Sequence, residues 1–247
     1  MYRRGGGSGG LLLCAKGNLL YRLTAFLLTG NSLPMALFEG RSLHCRRGGR
    51  DVFAALDFAL PAGGALLLTG PNGSGKSSLL RLMAGLLQPA GGDLLWDGRP
   101  IAEAPEAHAG RLHYLGHLDA VKPVLSVTEN LQFWAALRGT EGAIETALAR
   151  FALTDLATVP GRLLSSGQRR RLALARLVAA PAELWLLDEP SVGLDHASVG
   201  RLAAAIAEHR AGGGRVVVAT HTALDLGDPI RLSLDSLAPP PLPEMVW

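Results

Sequence analysis

The sequence predicts an α/β fold with a parallel core sheet, an antiparallel β subdomain and a helical insert. A short apolar strand pattern at Ala65–Thr69 leads directly into a glycine-rich turn and then a helical pattern. Two further runs, residues 184–187 and 216–220, are short and continuously apolar, which is typical of central parallel strands covered on both faces. Strand and helix patterns alternate around these runs, and this alternation favours a parallel sheet.

The remaining elements follow from local patterns. Two strands of antiparallel type precede the first core strand, and another strand follows a Pro-Ala-Gly-Gly turn. The insert, expected at about residues 118–165, is mostly helical, and Ser126 or Thr128 is a suitable cap for its first helix. The other expected strands are residues 37–45, 51–60 and 93–97, and the expected helices are residues 76–87, 143–151 and 168–180.

Length and composition suit one α/β domain. The chain has 247 residues, of which 48% are hydrophobic, and this is ample for a buried core. The net charge is only +3, and the nearest candidate for a basic stripe, residues 169–171, opens a predicted helix, so we expect no direct nucleic-acid binding. Cys14 and Cys45 lack metal-ligand spacing, and reduced thiols are expected rather than a disulfide.

The two ends of the chain differ from its middle. Residues 1–34 contain GGGSGG and show no sustained periodicity, so we expect a disordered or mis-assigned extension, with Met35 as the true start. The domain is expected to span residues 35–237, followed by a Pro-rich tail at residues 238–247. No segment reaches the roughly 18 apolar residues of a membrane span, so we expect a cytoplasmic protein, and any membrane association must come through a partner.

The glycine-rich turn fits the P-loop pattern G-x-x-x-x-G-K-[ST], in the strand-to-helix context that this motif requires. Its glycines let backbone N–H groups face phosphate oxygens beside a helix N-terminus. Lys76 is expected to bind the β- and γ-phosphates of ATP, and the Ser77 hydroxyl to ligate Mg²⁺. The candidate nucleotide-binding residues are Gly70, Pro71, Asn72, Gly73, Ser74, Gly75, Lys76, Ser77 and Ser78.

The second half of the candidate site follows the later apolar runs. Asp188 ends one predicted strand, at the edge where α/β sheets gather their ligands, and is expected to hold Mg²⁺ through water. Glu189 is the candidate general base for the attacking water. His221 follows the other run, where a neutral imidazole can contact the γ-phosphate and orient the water, although a histidine there is often structural.

The order of the motifs resembles that of the ATP-binding cassette (ABC) family. Residues 164–168, LSSGQ, are similar to the LSGGQ signature, and they lie between the P-loop and the Leu-Leu-Asp-Glu-Pro segment. Residues 191–195 are similar to the family's D-loop, and His221 comes last. Over about residues 36–235 the resemblance implies a P-loop NTPase with the ABC nucleotide-binding fold, which hydrolyses Mg-ATP as a head-to-tail homodimer.

The resemblance also implies how two copies share ATP. Ser165, Ser166, Gly167 and Gln168 open a predicted helix whose first N–H groups and dipole form an anion site. In the family this site caps the γ-phosphate that the P-loop of the other copy holds. Asp195 would link the two sites across the interface.

Two positions depart from the family pattern. The family usually places an aromatic residue upstream of the P-loop to stack on adenine, whereas this chain has Cys45-Arg46-Arg47. Arg47 is the candidate to stack through its guanidinium face, which leaves selectivity for adenine open. The glutamine that links the ATP site to the insert is replaced by His117.

His117, Lys122 and residues 127–131 resemble one branch of the family, the CcmA group of haem-exporter ATPases in cytochrome c maturation. This implies a peripheral position on the cytoplasmic face of the inner membrane and an integral membrane subunit similar to CcmB. The helix around residues 131–137 is the expected docking surface, although its apolar residues can equally be core.

Two other functions remain open at this point. One is an ABC transporter ATPase for another small molecule or a lipid. The other is a soluble ABC ATPase that acts on nucleic acid or ribosomes. That class carries two ATPase halves or a long coiled coil between P-loop and signature, and this chain shows neither feature.

Overall fold

The structure is a computed structural model that describes residues 37–140 and 142–235. The expectations for residues 1–34, for Met35 as the start and for the tail at residues 238–247 lie outside this part of the chain. No helix in the described ranges combines the length and the apolar character that a membrane crossing requires.

The described residues form two sheets and six α-helices. The strands are β1 Leu37–Arg47, β2 Arg50–Pro61, β3 Ala65–Thr69, β4 Gly91–Trp96, β5 Arg99–Pro100, β6 Leu112–Leu115, β7 Leu184–Asp188, β8 Arg215–Ala219 and β9 Ile230–Ser233. The helices are α1 Lys76–Met83, α2 Pro105–Arg111, α3 Val127–Leu137, α4 Ile144–Arg150, α5 Ser166–Ala179 and α6 His196–Ala211. Short 3-10 turns lie at Ile101–Glu103, Thr154–Leu156 and Gly161–Leu163.

The core sheet is parallel, with strand order β6-β7-β8-β3-β9. Every residue of β7 and β8 is buried, as their unbroken apolar runs predict. Ala219 of β8 pairs with Asp188 on one side and with Leu68 on the other. The carboxyl ends of β3, β7 and β8 therefore meet at one edge of the sheet.

The second sheet is antiparallel, with strand order β2-β1-β4-β5. Its inner face carries Phe38, whose ring lies 5.4 Å from that of Phe58 and 5.6 Å from that of Trp96, measured between centroids. Leu79 and Met83 of α1 belong to the same buried cluster. Helix α1 is therefore enclosed between the two sheets, and the loop before it is held by both.

Helices α3 and α4 pack against α5 around a core that includes Leu131 and Phe151. Ser126, not Thr128, caps α3: its hydroxyl accepts the Glu129 N–H, and the Glu129 carboxylate accepts the Ser126 N–H. In the helix that we expected to dock a partner, Leu131 and Ala135 are buried, whereas Leu137 is 63% exposed. The apolar residues of this helix thus divide between core and surface.

Two helix ends differ from the expectation by more than one residue. Helix α1 stops at Met83, four residues before the predicted end, because Gly85 adopts φ 70° and its N–H bonds to the Leu82 carbonyl. Helix α5 begins at Ser166, two residues before the predicted start, because Ser165 and Gln168 form a reciprocal capping box.

Buried histidines make the stability of this fold depend on pH. Burial lowers the pKa of His113 to about 3, and the ring contacts the Ala180 carbonyl. The unfolded chain binds a proton at this position below about pH 6.5, whereas the folded chain does not, so stability falls as the pH drops from 6.5 towards 3. His108 and His209 also have lowered pKa values, mainly because of burial, and act in the same direction.

We expect the free energy of unfolding, measured in urea, to fall between pH 7 and pH 5 by about 2 kcal/mol on account of His113. His113→Gln is the matched variant, because its amide can still donate to Ala180 but does not titrate. The variant should show a smaller loss over the same pH range. An identical loss in both proteins would contradict the assignment.

Candidate nucleotide-binding and hydrolysis site

The candidate site lies at the edge of the parallel sheet where β3, β7 and β8 end. The loop from Gly70 to Gly75 follows β3, Glu189 follows β7, and Thr220 and His221 follow β8. Because β8 pairs with both β3 and β7, these segments are neighbours in space. The fold therefore places the P-loop next to the acidic pair that we singled out in the sequence.

Glycine is required in this loop by its backbone. Gly70, Gly73 and Gly75 have φ values of 136°, 83° and 102°, in the region that side chains disfavour. A Cβ atom on Gly75 would lie 2.6 Å from the Cγ1 atom of Val52. The β2 strand thus packs directly on the loop and admits no side chain there.

The loop presents donors to its interior. The Lys76 Nζ atom donates to the carbonyls of Gly70 at 2.7 Å and Pro71 at 2.9 Å, so the ammonium lies inside the curve of the loop. Helix α1 begins at Lys76 without a side-chain cap and without an acidic residue in its first turn. Its first N–H groups are therefore available to an anion, and Ser77 stands exposed in the same turn.

Asp188 and Glu189 differ in backbone and burial. Asp188 ends β7 and is 7% exposed. Glu189 has φ 47°, a left-handed conformation that is uncommon for a residue with a side chain. Its N–H bonds to the Ala219 carbonyl at 2.8 Å, which ties it to the neighbouring strand β8. This conformation redirects the chain immediately after the sheet.

The carboxylate of Glu189 meets the residues after β8. Its Oε2 atom accepts a hydrogen bond from the Thr220 hydroxyl at 3.0 Å and one from the His221 N–H at 3.3 Å. The His221 Nε2 atom lies 3.8 Å from the other carboxylate oxygen. The structure therefore brings together Glu189 and His221, which are 32 residues apart in the sequence.

Thr220 belongs to the candidate site, although the sequence patterns gave it no functional role. Its hydroxyl at the carboxyl end of an apolar core strand is the signal that could have indicated one. Thr222 and Ser191 extend the same hydroxyl cluster, since Thr222 contacts both Thr220 and Ser191.

The signature segment lies beside the D-loop. The Ser165 hydroxyl accepts the Gln168 N–H at 3.2 Å, so this side chain is used as the cap of α5. A Cβ atom on Gly167 would lie 3.3 Å from the Gly193 carbonyl. A cavity of about 230 Å³ is lined by Ser165, Gly167, Gln168, Arg171, Gly193, Leu194, Asp195 and Ser198, and none of these lining residues comes from the P-loop.

Asp195 caps α6, because its Oδ1 atom accepts the Ser198 N–H at 2.7 Å. Hydrogen bonds from the Ser198 side chain and backbone hold the pKa of Asp195 below its usual range. The carboxylate is therefore charged at neutral pH and stands at the rim of the signature cavity.

The two departures from the family pattern lie at or near the ends of strands that belong to different sheets. Arg47 is exposed at the end of β1, in a hairpin whose second strand packs on the P-loop at Gly75. His117 is exposed two residues after the end of β6, the strand that borders β7.

Comparison with known proteins agrees with this geometry. The ABC transporter family pattern matches residues 53–192. The chain is 60% identical over 207 residues to the cytochrome c biogenesis ATP-binding export protein CcmA of Rhodospirillum rubrum, covering 83% of this chain and 89% of that protein. The corresponding CcmA of Paramagnetospirillum magneticum is 59% identical over 206 residues, covering 81% and 95%.

Among solved structures, an ABC transporter ATP-binding protein from Pyrococcus furiosus superposes with a TM-score of 0.73 at 27% identity, covering 82% of this chain and all of the other. The predicted ABC fold and the predicted resemblance to CcmA are thus confirmed. The chain belongs to the ABC transporter family and, within it, to the CcmA group of ATP-binding export proteins.

Proposed function

We propose that two copies of this chain hydrolyse Mg-ATP to drive haem export for the maturation of c-type cytochromes. The observation that carries the catalytic part is the position of Glu189, held in a left-handed conformation against Thr220 and His221 at the edge that bears the P-loop. This edge is where α/β sheets bind their ligands.

The loop fits the triphosphate of ATP. Its positive-φ glycines leave room for phosphate oxygens against the backbone, and the Lys76 ammonium already points into that space. Ser77 and the buried Asp188 supply the hard oxygen ligands that Mg²⁺ prefers, and bound Mg²⁺ would neutralise phosphate charge. Arg47, exposed at the end of β1, is the proposed stacking partner of the base through its guanidinium face.

Glu189 is the group that removes a proton from the attacking water. Its side chain is 20% exposed, so a carboxylate oxygen remains open to a water while Thr220 and His221 fix the other. His221, whose Nε2 atom lies 3.8 Å from that open carboxylate oxygen, orients the water or the γ-phosphate.

The separation of the two candidate phosphate-binding segments within one chain supports the proposed homodimer. The signature cavity opens at the N-terminus of α5 and is not lined by the P-loop of the same chain. The N–H groups of Ser166 and Gly167 remain for the γ-phosphate of a second copy, since the Gln168 N–H is taken by Ser165. Asp195, on the rim, connects this cavity to the other site.

The proposed cargo and membrane partner are inferred from the relatives, which are named as export proteins of cytochrome c biogenesis. The partner is an integral membrane subunit similar to CcmB, which holds this chain at the cytoplasmic face of the inner membrane. Leu118, Val124 and Leu137 are 83%, 74% and 63% exposed, and they offer apolar contacts to such a subunit. Direct binding of nucleic acid is not part of the proposal.

Deletion of the gene tests the cargo. We expect c-type cytochromes to lose covalently bound haem, detected by a haem stain of membrane proteins, and plasmid-borne wild-type protein to restore it. Lys76→Ala should not restore it, because the phosphates lose their charged contact. If the deletion strain keeps fully haem-loaded c-type cytochromes, the cargo is not haem, and another small molecule or a lipid takes its place.

A further inference from the structure

Arg170, on the second turn of α5, is a buried arginine with an unusual set of partners. Its side chain is only 8% exposed, and its Nη1 atom lies 2.9 Å from the Asp119 carboxylate. Burial of a guanidinium is costly unless its donors are paired, so these contacts hold the side chain in one place.

Most of the hydrogen bonds that Arg170 donates are accepted by backbone carbonyls at the end of β7 and directly after it. Its Nε atom donates to the Pro190 carbonyl at 3.2 Å, and its Nη2 atom donates to the carbonyls of Asp188 at 3.2 Å and Glu189 at 2.7 Å. One planar group therefore fixes three consecutive carbonyls. The shortest of these contacts is to Glu189 itself.

Glu189 needs such support, because a left-handed backbone at a residue with a side chain persists only where its surroundings hold it. The Ala219 carbonyl accepts the Glu189 N–H from one side, and Arg170 binds the Glu189 carbonyl from the other. The direction of the carboxylate follows from the backbone that these two contacts fix.

The other end of the guanidinium reaches the segment after β6. Besides Asp119, the Nη1 atom donates to the Gly116 carbonyl at 3.4 Å, so the two contacts flank His117. Asp119 faces a second buried arginine as well: burial and Arg170 lower the pKa of Arg176, while Asp119 raises it. This carboxylate is therefore a counterion in a cluster with more positive than negative charge.

We propose that Arg170 is a positioning residue that holds Glu189 in its catalytic conformation and couples it to residues 116–119 through the ion pair with Asp119. A shift of this segment is transmitted to the Glu189 carbonyl through one rigid side chain, so the pair adjusts the rate of hydrolysis rather than the binding of ATP. The inference rests on the proposed role of Glu189 as the base.

The test compares Arg170→Gln, Asp119→Asn and the double variant in the full-length chain, co-produced with the membrane subunit of its own transporter. We expect Arg170→Gln to lower kcat about tenfold and Asp119→Asn about threefold, with the Kd for ATP unchanged within about twofold. The double variant should be no slower than Arg170→Gln, because both changes break one linkage. Arg150→Gln is the control. It removes the ion pair between Arg150 of α4 and Glu208 of α6, and it should keep the wild-type kcat.

Several results would overturn the inference: a wild-type kcat in Arg170→Gln, an equal loss of kcat and ATP affinity, or additive effects in the double variant. Arg170→Lys covers the case in which Arg170→Gln does not fold, since it keeps the charge but cannot bind three carbonyls and a carboxylate at once. A wild-type kcat in Arg170→Lys would also count against the inference. Glu189→Gln distinguishes failure of the proposed base from failure of the role of Arg170. If Glu189→Gln hydrolyses ATP normally, the proposed base is wrong. If hydrolysis is lost in Glu189→Gln but not in the Arg170 variants, only the role of Arg170 is refuted.

Discussion

Glu189→Gln is expected to lower ATP turnover by at least about a hundredfold while ATP binding is retained. Glutamine has nearly the same shape and can still accept the Thr220 and His221 hydrogen bonds, but its amide does not take a proton from water. The P-loop is untouched by the change. The variant should therefore accumulate with ATP bound between two copies, and its dimer should be visible by size-exclusion chromatography with ATP.

The measurement is the release of phosphate under single-turnover conditions, together with the Kd for ATP. Glu183→Gln is the matched control: it makes the same chemical change just before β7, where the carboxylate faces Arg111 at 3.9 Å. Normal hydrolysis by Glu189→Gln would show that another group removes the proton.

The second large effect is expected from Lys76→Ala, which should weaken ATP binding itself. The ammonium supplies charge-assisted hydrogen bonds inside the loop, and loss of one such bond costs about 1.5–3 kcal/mol, or roughly ten- to a hundredfold in Kd. The same change removes the contacts to the Gly70 and Pro71 carbonyls that keep the loop curved.

Titration with a fluorescent ATP analogue checks this effect. Arg81→Ala is a suitable control, because Arg81 is an exposed cation in the last turn of the same helix, at the end away from the loop. An unchanged Kd in Lys76→Ala would contradict the phosphate role of the lysine.

Local patterns were sufficient for the P-loop pattern and for the three central strands of the parallel sheet, β3, β7 and β8, whereas the edge strands β6 and β9 were not predicted. Continuous apolar runs predict buried parallel strands, and β3 was placed with its exact ends at Ala65–Thr69. The end of α1 was placed wrongly, because a helical pattern extends to residue 87 whereas Gly85 breaks the backbone earlier. The start of α5 was placed two residues too late, although Ser165 and Gln168 have the spacing of a capping box and indicate the observed start.

Contacts between distant residues were beyond the reach of the sequence. Arg170 read as one of three consecutive arginines at a helix start, and nothing local distinguishes it from its neighbours. Its partners, Asp119 and Glu189, are 51 residues before it and 19 residues after it. The left-handed backbone of Glu189 is likewise imposed by β8 and α5, not by its own side chain.

The sharing of one ATP by two copies can be measured with a photoreactive ATP analogue whose label sits on the γ-phosphate. Affinity-tagged copies that carry Lys76→Ala, and take no label alone, are mixed with untagged Glu189→Gln copies, which bind ATP without consuming it. We expect label on residues 165–168 of the tagged copies, because their signature segment caps the nucleotide held by the partner. Label confined to the untagged copies, although both kinds are recovered together on the tag in the presence of the analogue, would contradict it.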